Sequence, residues 1–324
     1  MFKVSVVIPT YNRINRLKKV LKAFEDQIFD KNAFEVIVVS DGSTDGTHET
    51  ISELKTTYHL NLLIQINQGP AAARNLGLAK ALGEYILFVD DDVMPTPKLI
   101  VEHMRVHDEQ GKNIVVLGPM LTPQEFNMSP WVRWEQAMLV KQYQSMQNGH
   151  WQPTARQFYT GNTSLQRSHL LESGGFDPKF RRAEDVELAY RLKNRGLQFV
   201  FNSKAIGYHY AERSFPSWIE TPYIYGKNDV IFARDKQQIW LLQAVFEEFR
   251  TRNLLIRFLV LICLDRIPLS NFIIRILQIL AQQSDQLGLE KIVQMTHSAI
   301  FNLRYYQGIS DELNGRNNFL KQAE

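Results

Sequence analysis

Three consecutive carboxylates, Asp90, Asp91 and Asp92, directly follow the apolar segment Tyr85–Val89. An apolar run of this length is typical of a buried strand, so the three side chains are expected to leave the sheet together at its ligand-binding edge. Crowded carboxylates repel one another, and a hard divalent cation would relieve the repulsion while keeping positions for phosphate oxygens. The alternative is a solvated acidic turn. We favour a divalent metal site.

Other polar residues stand where further predicted elements begin or end. Asp41 ends the second predicted strand and can accept hydrogen bonds from a nucleobase or ribose, or act as a turn residue. Arg74 falls in the first turns of a helix, where anions are favoured, and it can bind an anion there. The alternative is an ordinary surface arginine. Glu184 and Asp185 begin another helix, where carboxylates can simply complement the helix dipole. His209 ends a late strand, where it can be either a core histidine or a metal ligand.

Glycine-rich phosphate loops are absent from the sequence. No Gly-x-Gly-x-x-Gly follows a predicted strand, and no Gly-x-x-x-x-Gly-Lys occurs. The sequence therefore excludes a dinucleotide-binding fingerprint and a P-loop. Any phosphate groups must be held by a metal ion and by cationic side chains.

The elements that position these residues alternate along the chain. Apolar runs at 4–8, 34–39, 60–66 and 85–89 predict buried parallel strands, and 114–118, 199–201 and 205–209 predict further strands. Helical periodicity lies between them, with apolar faces formed by Leu17, Val20, Leu21 and Phe24, by Ile51, Leu54 and Tyr58, and by a helix over 71–82. The alternation predicts an α/β fold with a doubly wound, mostly parallel sheet and helices on both faces.

Six ordered motifs carry a resemblance. They are VSVVIPTYNR at 4–13, VSDGSTD at 39–45, Gly69 with ARN at 73–75, FVDDD at 88–92, GGFD at 174–177 and AED at 183–185. In order and spacing they resemble the family 2 glycosyltransferases, over roughly residues 3–210. The resemblance implies the GT-A fold and an inverting transfer of a sugar from a nucleoside diphosphate carrier to an acceptor hydroxyl.

The resemblance also implies roles for individual residues. The donor would be bound by Pro9, Thr10, Tyr11, Arg13, Asp41, Gly69, Arg74, Asp90 and Asp91. Mn²⁺ or Mg²⁺ would be held by Asp92, Asp90 and His209. Asp185 would be the general base, with Glu184 as the competing candidate, and Gly161 and Asn162 would contact the acceptor. A UDP-sugar is the favoured donor, and the acceptor would be a saccharide or a lipid-linked sugar in polysaccharide or glycolipid assembly.

The motifs and the periodicity of the sequence also predict domain boundaries. We expect a catalytic domain at 1–213, with a nucleotide-sugar-binding half at 1–118 and an acceptor-binding half at 119–213, followed by a helical region at 214–324. The helical region contains apolar runs at 254–264 and 272–280 with interspersed arginines. These runs either pack on the catalytic domain or form a peripheral membrane contact.

Composition limits the classes of function. The 324 residues are 44% hydrophobic and 22% charged with a net charge of +3, which is typical of a soluble globular protein and too balanced to predict nucleic-acid binding. The single cysteine, Cys263, excludes an intrachain disulfide, and the short first apolar run does not resemble a signal peptide. We therefore expect a cytoplasmic protein, with the inner face of the membrane as an alternative location.

Two other functions compete. A sugar-1-phosphate nucleotidyltransferase also uses an α/β fold with acidic metal ligands, but it normally has a glycine-rich basic loop where this chain has PTYNR at 9–13. A non-catalytic sugar-nucleotide-binding protein is the second alternative, and the presence of both Asp92 and Asp185 argues against it.

Overall fold

A computed structural model describes residues 2–180 and 182–323. The chain forms two compact units, which we describe separately. The first comprises residues up to Phe126 together with Met138–Ala211, and the second comprises Asn127–Ala137 and the residues from Glu212 onward.

A seven-stranded sheet forms the centre of the first unit, in the order β3-β2-β1-β4-β8-β6-β9. Its strands are β1 Val4–Thr10, β2 Phe34–Asp41, β3 His59–Gln65, β4 Tyr85–Val89, β6 Ile114–Leu117, β8 Asn162–Gln166 and β9 Gln198–Phe201. All neighbouring pairs are parallel except those of β8, which is antiparallel to β4 and to β6. This is the mostly parallel sheet predicted from the sequence.

A second, three-stranded sheet has the order β5-β10-β7. Its strands are β5 Val93–Pro95, β7 Met120–Leu121 and β10 Gly207–His209. β10 is antiparallel to β5, with His209 opposite Val93, and parallel to β7. The pairing brings the end of β10 back to the segment that follows the acidic triplet.

Helices cover both faces of the large sheet, as predicted. Those of the first unit are α1 Ile14–Glu25, α2 Thr47–Ser52, α3 Pro70–Lys80, α4 Leu99–Gln110, α6 Arg167–Glu172 and α7 Glu184–Asn194, with a 3₁₀ turn at Ala155–Gln157; α5, Pro130–Gln147, includes residues of both units. Leu17 and Phe24 of α1 share a core cluster with Val6 of β1. The neighbouring Val7 faces the other way, and a Cβ added to Gly77 of α3 would lie 2.5 Å from its Cγ1. Strand alternation therefore supplies one layer of side chains to each face.

Two sequence predictions need correction. β3 is an edge strand with alternating exposure, not a buried one, and Ile64 is 56% exposed. The predicted helix containing Ile51, Leu54 and Tyr58 ends at Ser52. Thr56 and Thr57 are poor helix formers, and the Thr56 hydroxyl donates to the carbonyl of Tyr58 at 2.7 Å, which favours a turn.

The second unit is helical. After the first residues of α5 it contains α8 Phe215–Asp235, α9 Ile239–Thr251, α10 Leu254–Cys263, α11 Ile267–Gln286, α12 Glu290–Glu312 and α13 Arg316–Ala323. Trp218, Cys263 and Leu303 belong to its buried cluster. None of the helices described in either unit combines the length and the apolar character needed to cross a bilayer.

Helices α8 and α12 cross at two glycines. A Cβ on Gly226 would lie 2.0 Å from the carbonyl oxygen of Tyr305, and one on Gly308 would lie 2.0 Å from that of Tyr223. Such distances are far below van der Waals contact, so the two backbones can approach only because both positions lack a side chain.

Candidate active site

The polar residues predicted at the strand ends lie along one edge of the large sheet. Thr10 and Asp41 end the parallel neighbours β1 and β2, and Asp90 follows β4, which also pairs with β1 in parallel. Parallel strands present their carboxyl ends at the same edge, which is where ligands bind in folds of this kind. The sheet therefore gathers these residues as the sequence predicted.

Asp91 and Asp92 share one cation. The guanidinium of Arg13 donates to Asp91 at 3.2 Å and to Asp92 at 2.7 Å, and the hydroxyl of Thr10 donates to Asp91 at 2.7 Å. Burial raises the pKa of Asp91 to about 6, although Arg13 opposes the shift. Burial also acts against the charge of Asp92, but the contacts with His209 and Arg13 outweigh it and lower its pKa to about 2.

The three-stranded sheet places His209 close to Asp92. Its Nε2 lies 3.5 Å from Oδ1 of Asp92, and the backbone carbonyl of Asp92 accepts the N–H of Tyr210 at 3.0 Å. The pairing of His209 with Val93, next to Asp92, explains this proximity. Periodicity placed His209 at a strand end, but only the register of the pairing shows which carboxylate it meets.

Arg74 links the acidic triplet to helix α7. It is 5% exposed, and its guanidinium donates to Asp90 at 2.8 Å and to Glu184 at 2.9 Å. Burial disfavours its charge, but the carboxylates of Asp90 and Glu184 outweigh this effect and raise the pKa of Arg74. The sequence predicted that Arg74 binds the donor. The structure shows that its guanidinium bridges two carboxylates, and its role in donor binding stays a prediction.

Each of the three aspartates therefore has a basic side chain as a partner, and Arg13 serves two of them. Arg74 pairs with Asp90, Arg13 with Asp91, and Arg13 and His209 with Asp92. These contacts reduce the repulsion expected from the sequence but do not remove it, because Asp92 and Asp90 add to the effect of burial in raising the pKa of Asp91. Relief of the remaining repulsion by a metal ion stays a prediction.

Asp185 differs from its neighbour Glu184. Glu184 is 7% exposed and carries the ion pair with Arg74, whereas Asp185 is partly buried and accepts the N–H of Val186 at 2.8 Å. Burial, together with repulsion by Glu184, raises the pKa of Asp185 to about 7. Ala183, which precedes the pair, has a φ of +60°, a strained conformation for a residue with a side chain. The geometry thus gives the two carboxylates different environments.

Asp41 holds the loop that leads into α3. Its carboxylate accepts the backbone N–H groups of Gln68 and Gly69, each at 2.8 Å, and the side chain of Gln65 at 2.7 Å. Gly69 has a φ of +93° and precedes Pro70, the first residue of the helix. Asp41 is 5% exposed. The amide contacts make it a loop anchor, and its role in donor binding stays a prediction.

The two residues proposed for the acceptor lie in different surroundings. A Cβ on Gly161 would lie 2.4 Å from Sδ of Met120 and 3.0 Å from Oδ2 of Asp90, so this glycine makes room beside the triplet. Asn162 is fully buried, and its amide donates to the carbonyls of Pro119 and Ala205. Because this side chain has no accessible surface, the structure contradicts the prediction that it binds an acceptor.

The remaining residues predicted to bind the donor flank the triplet. Pro9 lies in β1 opposite Val39, and Tyr11 follows the strand with half of its surface exposed. An exposed aromatic ring at a strand end is suited to stacking against a base.

Asn75 is a site residue to which sequence reasoning gave no role. Its amide donates to the carbonyl of Phe176 at 2.8 Å and its oxygen accepts the N–H of the same residue at 2.8 Å. A Cβ on Gly175 would lie 2.5 Å from that oxygen. Asn75 therefore fixes the turn that precedes α7. Its place in the ARN segment of 73–75 was the only signal.

The donor set fits a divalent cation. Within residues 2–180 and 182–323, no three His, Cys, Asp or Glu side chains form a ready-made metal cluster. Asp92 and His209 nevertheless offer an ionised carboxylate beside an imidazole. Mg²⁺ in nucleotide-dependent sites is commonly held by one or two carboxylates and completed by phosphate oxygens and water. These residues therefore suit a metal ion whose shell the ligand completes.

Comparisons with known proteins agree with this geometry. The computed structure resembles TarS of S. aureus, with a TM-score of 0.55 at 21% identity over 94% of this chain and 55% of that one. It also resembles the mannosyltransferase PcManGT of Pyrobaculum calidifontis, with a TM-score of 0.61 at 16% identity over 94% and 86% of the two chains. These similarities define the fold as GT-A.

The sequence shows the family. Residues 5–174 match Glycosyl transferase family 2. The glycosyltransferase AglE of Haloferax volcanii is 27% identical over 247 residues, which cover 75% of each protein. The chain belongs to glycosyl transferase family 2.

Proposed function

We propose that this glycosyltransferase transfers a sugar, with inversion, from a nucleoside diphosphate sugar to an acceptor hydroxyl. The observation that carries the proposal is the pair of unlike acidic centres joined through Arg74. One centre holds the ionised Asp92 beside His209, and the other holds Asp185 with its raised pKa. An anionic metal ligand and a carboxylate titrating near neutrality are the two groups such a transfer requires.

The residues divide the chemistry between them. Asp185 accepts the proton of the acceptor hydroxyl while the hydroxyl oxygen forms a bond to the anomeric carbon. The bond from that carbon to the diphosphate oxygen breaks, and the diphosphate leaves with the electron pair. Glu184 is held by Arg74 and positions α7. A single displacement on the face opposite the leaving group inverts the anomeric centre.

A divalent cation would neutralise the charge that develops on the departing diphosphate. Asp92, Asp90 and His209 would hold Mn²⁺ or Mg²⁺. Two neighbours support the donor class: TarS has been solved with UDP-GlcNAc, and PcManGT with GDP-Man and Mn²⁺. We favour a UDP-sugar as the donor and a saccharide or lipid-linked sugar, as in polysaccharide or glycolipid assembly, as the acceptor.

A thermal-shift panel of nucleoside diphosphates with and without Mn²⁺ tests the binding step. A ligand at 100 times its Kd stabilises the folded protein by about 2.7 kcal/mol, so the Tm should rise with one nucleotide and only when Mn²⁺ is present. Asp92→Asn should remove the metal-dependent shift. Asp108→Asn, in an exposed acid of α4, is the matched control and should retain it.

The stereochemistry of the product tests the mechanism. Once the donor is known, the anomeric configuration of the product should be opposite to that of the donor sugar, as measured by NMR. A product that retains the configuration, or a nucleotide shift that is unchanged in Asp92→Asn, would contradict the proposed site.

A further inference from the structure

Two helices of the second unit expose large apolar side chains. On α10, Leu254, Leu255 and Phe258 are 75%, 73% and 64% exposed. On α11, Phe272 and Ile276 are 62% and 47% exposed and are followed at helical spacing by Ile279. Contiguous apolar surface of this kind on a globular protein usually marks an interaction site.

The opposite faces of the same helices already form core. Val260 and Cys263 of α10 are fully buried, and Ile274 and Ala281 of α11 are nearly so. Cys263 and Ile274 belong to one cluster with Leu303 of α12. The exposed side chains therefore lie on the outer faces, which packing within the second unit leaves uncovered. We call them the outer face of α10 and α11.

Basic residues outnumber acidic ones around this face, although Arg252 is paired with Glu248 of α9. Residues 250–280 contain five arginines, Arg250, Arg252, Arg257, Arg266 and Arg275, and a single acidic residue, Asp265. Arg266 and Arg275 are exposed, and Arg275 lies directly beside Ile276. One carboxylate oxygen of Asp265 accepts the backbone N–H of Arg316 at 2.8 Å. Basic side chains thus border and interrupt the apolar stripe.

We propose that the outer face of α10 and α11 binds the surface of an anionic lipid bilayer. Leu, Ile and Phe side chains would enter the boundary between headgroups and acyl chains, and the arginine heads would reach the lipid phosphates. A second copy of this chain is a poorer occupant, because two copies of a face bordered by the exposed Arg266 and Arg275 would repel each other. The proposal concerns binding alone and does not depend on the reaction proposed above.

Co-sedimentation of the 324-residue chain with vesicles tests this proposal. We expect binding to vesicles of phosphatidylcholine with phosphatidylglycerol, weaker binding to phosphatidylcholine alone, and release by salt. One basic residue near an anionic surface contributes roughly fivefold, so Arg266→Gln with Arg275→Gln should weaken the partition coefficient by about 25-fold. Phe272→Ser with Ile276→Ser should weaken binding to both kinds of vesicle.

Matched variants control for charge and for hydrophobicity. Lys18→Gln with Lys19→Gln removes the same charge from exposed positions of α1. Ile28→Ser with Leu82→Ser removes two apolar side chains that are 61% and 62% exposed. Both controls should bind vesicles as the unchanged protein does, and circular dichroism checks that every variant is folded.

Two results would overturn the proposal. One is equal vesicle binding by the unchanged protein and the outer-face variants, or no binding by either. The other is a lipid-free dimer in sedimentation velocity that Phe272→Ser with Ile276→Ser dissociates, which would identify the face as a contact between copies.

Discussion

The guanidinium of Arg74 donates to Glu184, which lies 110 positions further along the sequence. A lysine would keep the charge but would present a single ammonium group, which cannot span Asp90 and Glu184. Because α7 carries the proposed base Asp185, a small displacement of this helix should reduce turnover by about 10²-fold. We therefore predict that Arg74→Lys lowers kcat far more than it changes donor affinity, as measured by transfer kinetics and calorimetry.

Arg105 provides the control for this substitution. It also bridges two carboxylates, Glu102 and Glu109, but on the exposed surface of α4. Arg105→Lys should leave transfer unchanged, since exposed ion pairs contribute little. Equal kinetics for Arg74→Lys and Arg105→Lys would show that the buried bridge does not position the base.

Asp185 should control the pH dependence of transfer. With a pKa raised to about 7, its carboxyl holds its proton at lower pH and cannot accept one from the acceptor. We predict that kcat/KM falls about tenfold per pH unit below 7 and levels off above it. Asp185→Asn should lower kcat by about 10² to 10⁴ with little change in donor affinity.

Glu184→Gln separates the two carboxylates. Removal of the negative neighbour makes ionisation of Asp185 easier, so the acidic limb of the pH profile should move to lower pH. If Glu184→Gln causes the larger loss of turnover and Asp185→Asn leaves the pH limb intact, the base is Glu184.

Local sequence sufficed to find the charged residues of the site but not their partners. Asp90, Asp92 and Asp185 stand at element ends, where the fold class predicts ligands. The bridge from Asp90 to Glu184 and the burial of Asn162 depend on contacts between distant segments. No local periodicity encodes such contacts, which explains why the sequence did not predict the arginine partners of the triplet and wrongly assigned an acceptor role to Asn162.

At the scale of elements, Asn75 joins α3 to the turn before α7. Loss of its two hydrogen bonds to Phe176 should cost about 2 kcal/mol, at about 1 kcal/mol for each bond. We predict this decrease in the free energy of unfolding for Asn75→Ala, measured by urea denaturation. The exposed Asn32→Ala should stay close to the unchanged protein. A loss no greater than that of Asn32→Ala would show that the two bonds do not stabilise the turn.

Elements with a strong pattern were predictable. β1, β2 and β4 are buried apolar runs that the sequence located well. The sequence also located α1, from its apolar face. β8, with the sequence NTSLQ, and the long α5 gave no clear signal. β8 is buried through pairing with β4 and β6 on both sides, which stabilises a polar sequence that would not predict a strand.

For the whole molecule, two buried histidines should contribute to the pH dependence of stability. His103 contacts Ser164 at 2.8 Å and Asn162 at 2.9 Å, and His107 contacts the same serine at 2.9 Å. Burial lowers the pKa of His103 to about 4 and that of His107, which also lies near His103, to about 3. Both rings are therefore neutral in the folded protein at pH 7.

The unfolded chain binds protons to these histidines first, at a pKa near 6.5. The contribution of these two histidines to the free energy of unfolding should therefore be constant above about pH 7 and should fall from pH 6.5 toward 4 by up to about 1.4 kcal/mol per pH unit for each histidine. Asp91 and Asp185, whose pKa values are raised, act in the opposite direction over the same range. We predict that His107→Gln reduces this slope, measured by urea denaturation at several pH values. The substitution His150→Gln, at an exposed position, should leave this slope unchanged. Equal slopes for the two variants would refute the assignment of this pH dependence to the buried His107.

The crossing of α8 and α12 has a genetic consequence. Every single-nucleotide change in a glycine codon that alters the amino acid introduces at least a Cβ, and neither Gly226 nor Gly308 has room for one. Codons 226 and 308 are therefore expected to tolerate no missense change of this kind without separation of the two helices. In a screen for temperature-sensitive alleles, these two codons should yield mutants more often than other helical positions of the second unit, even though neither belongs to the proposed active site.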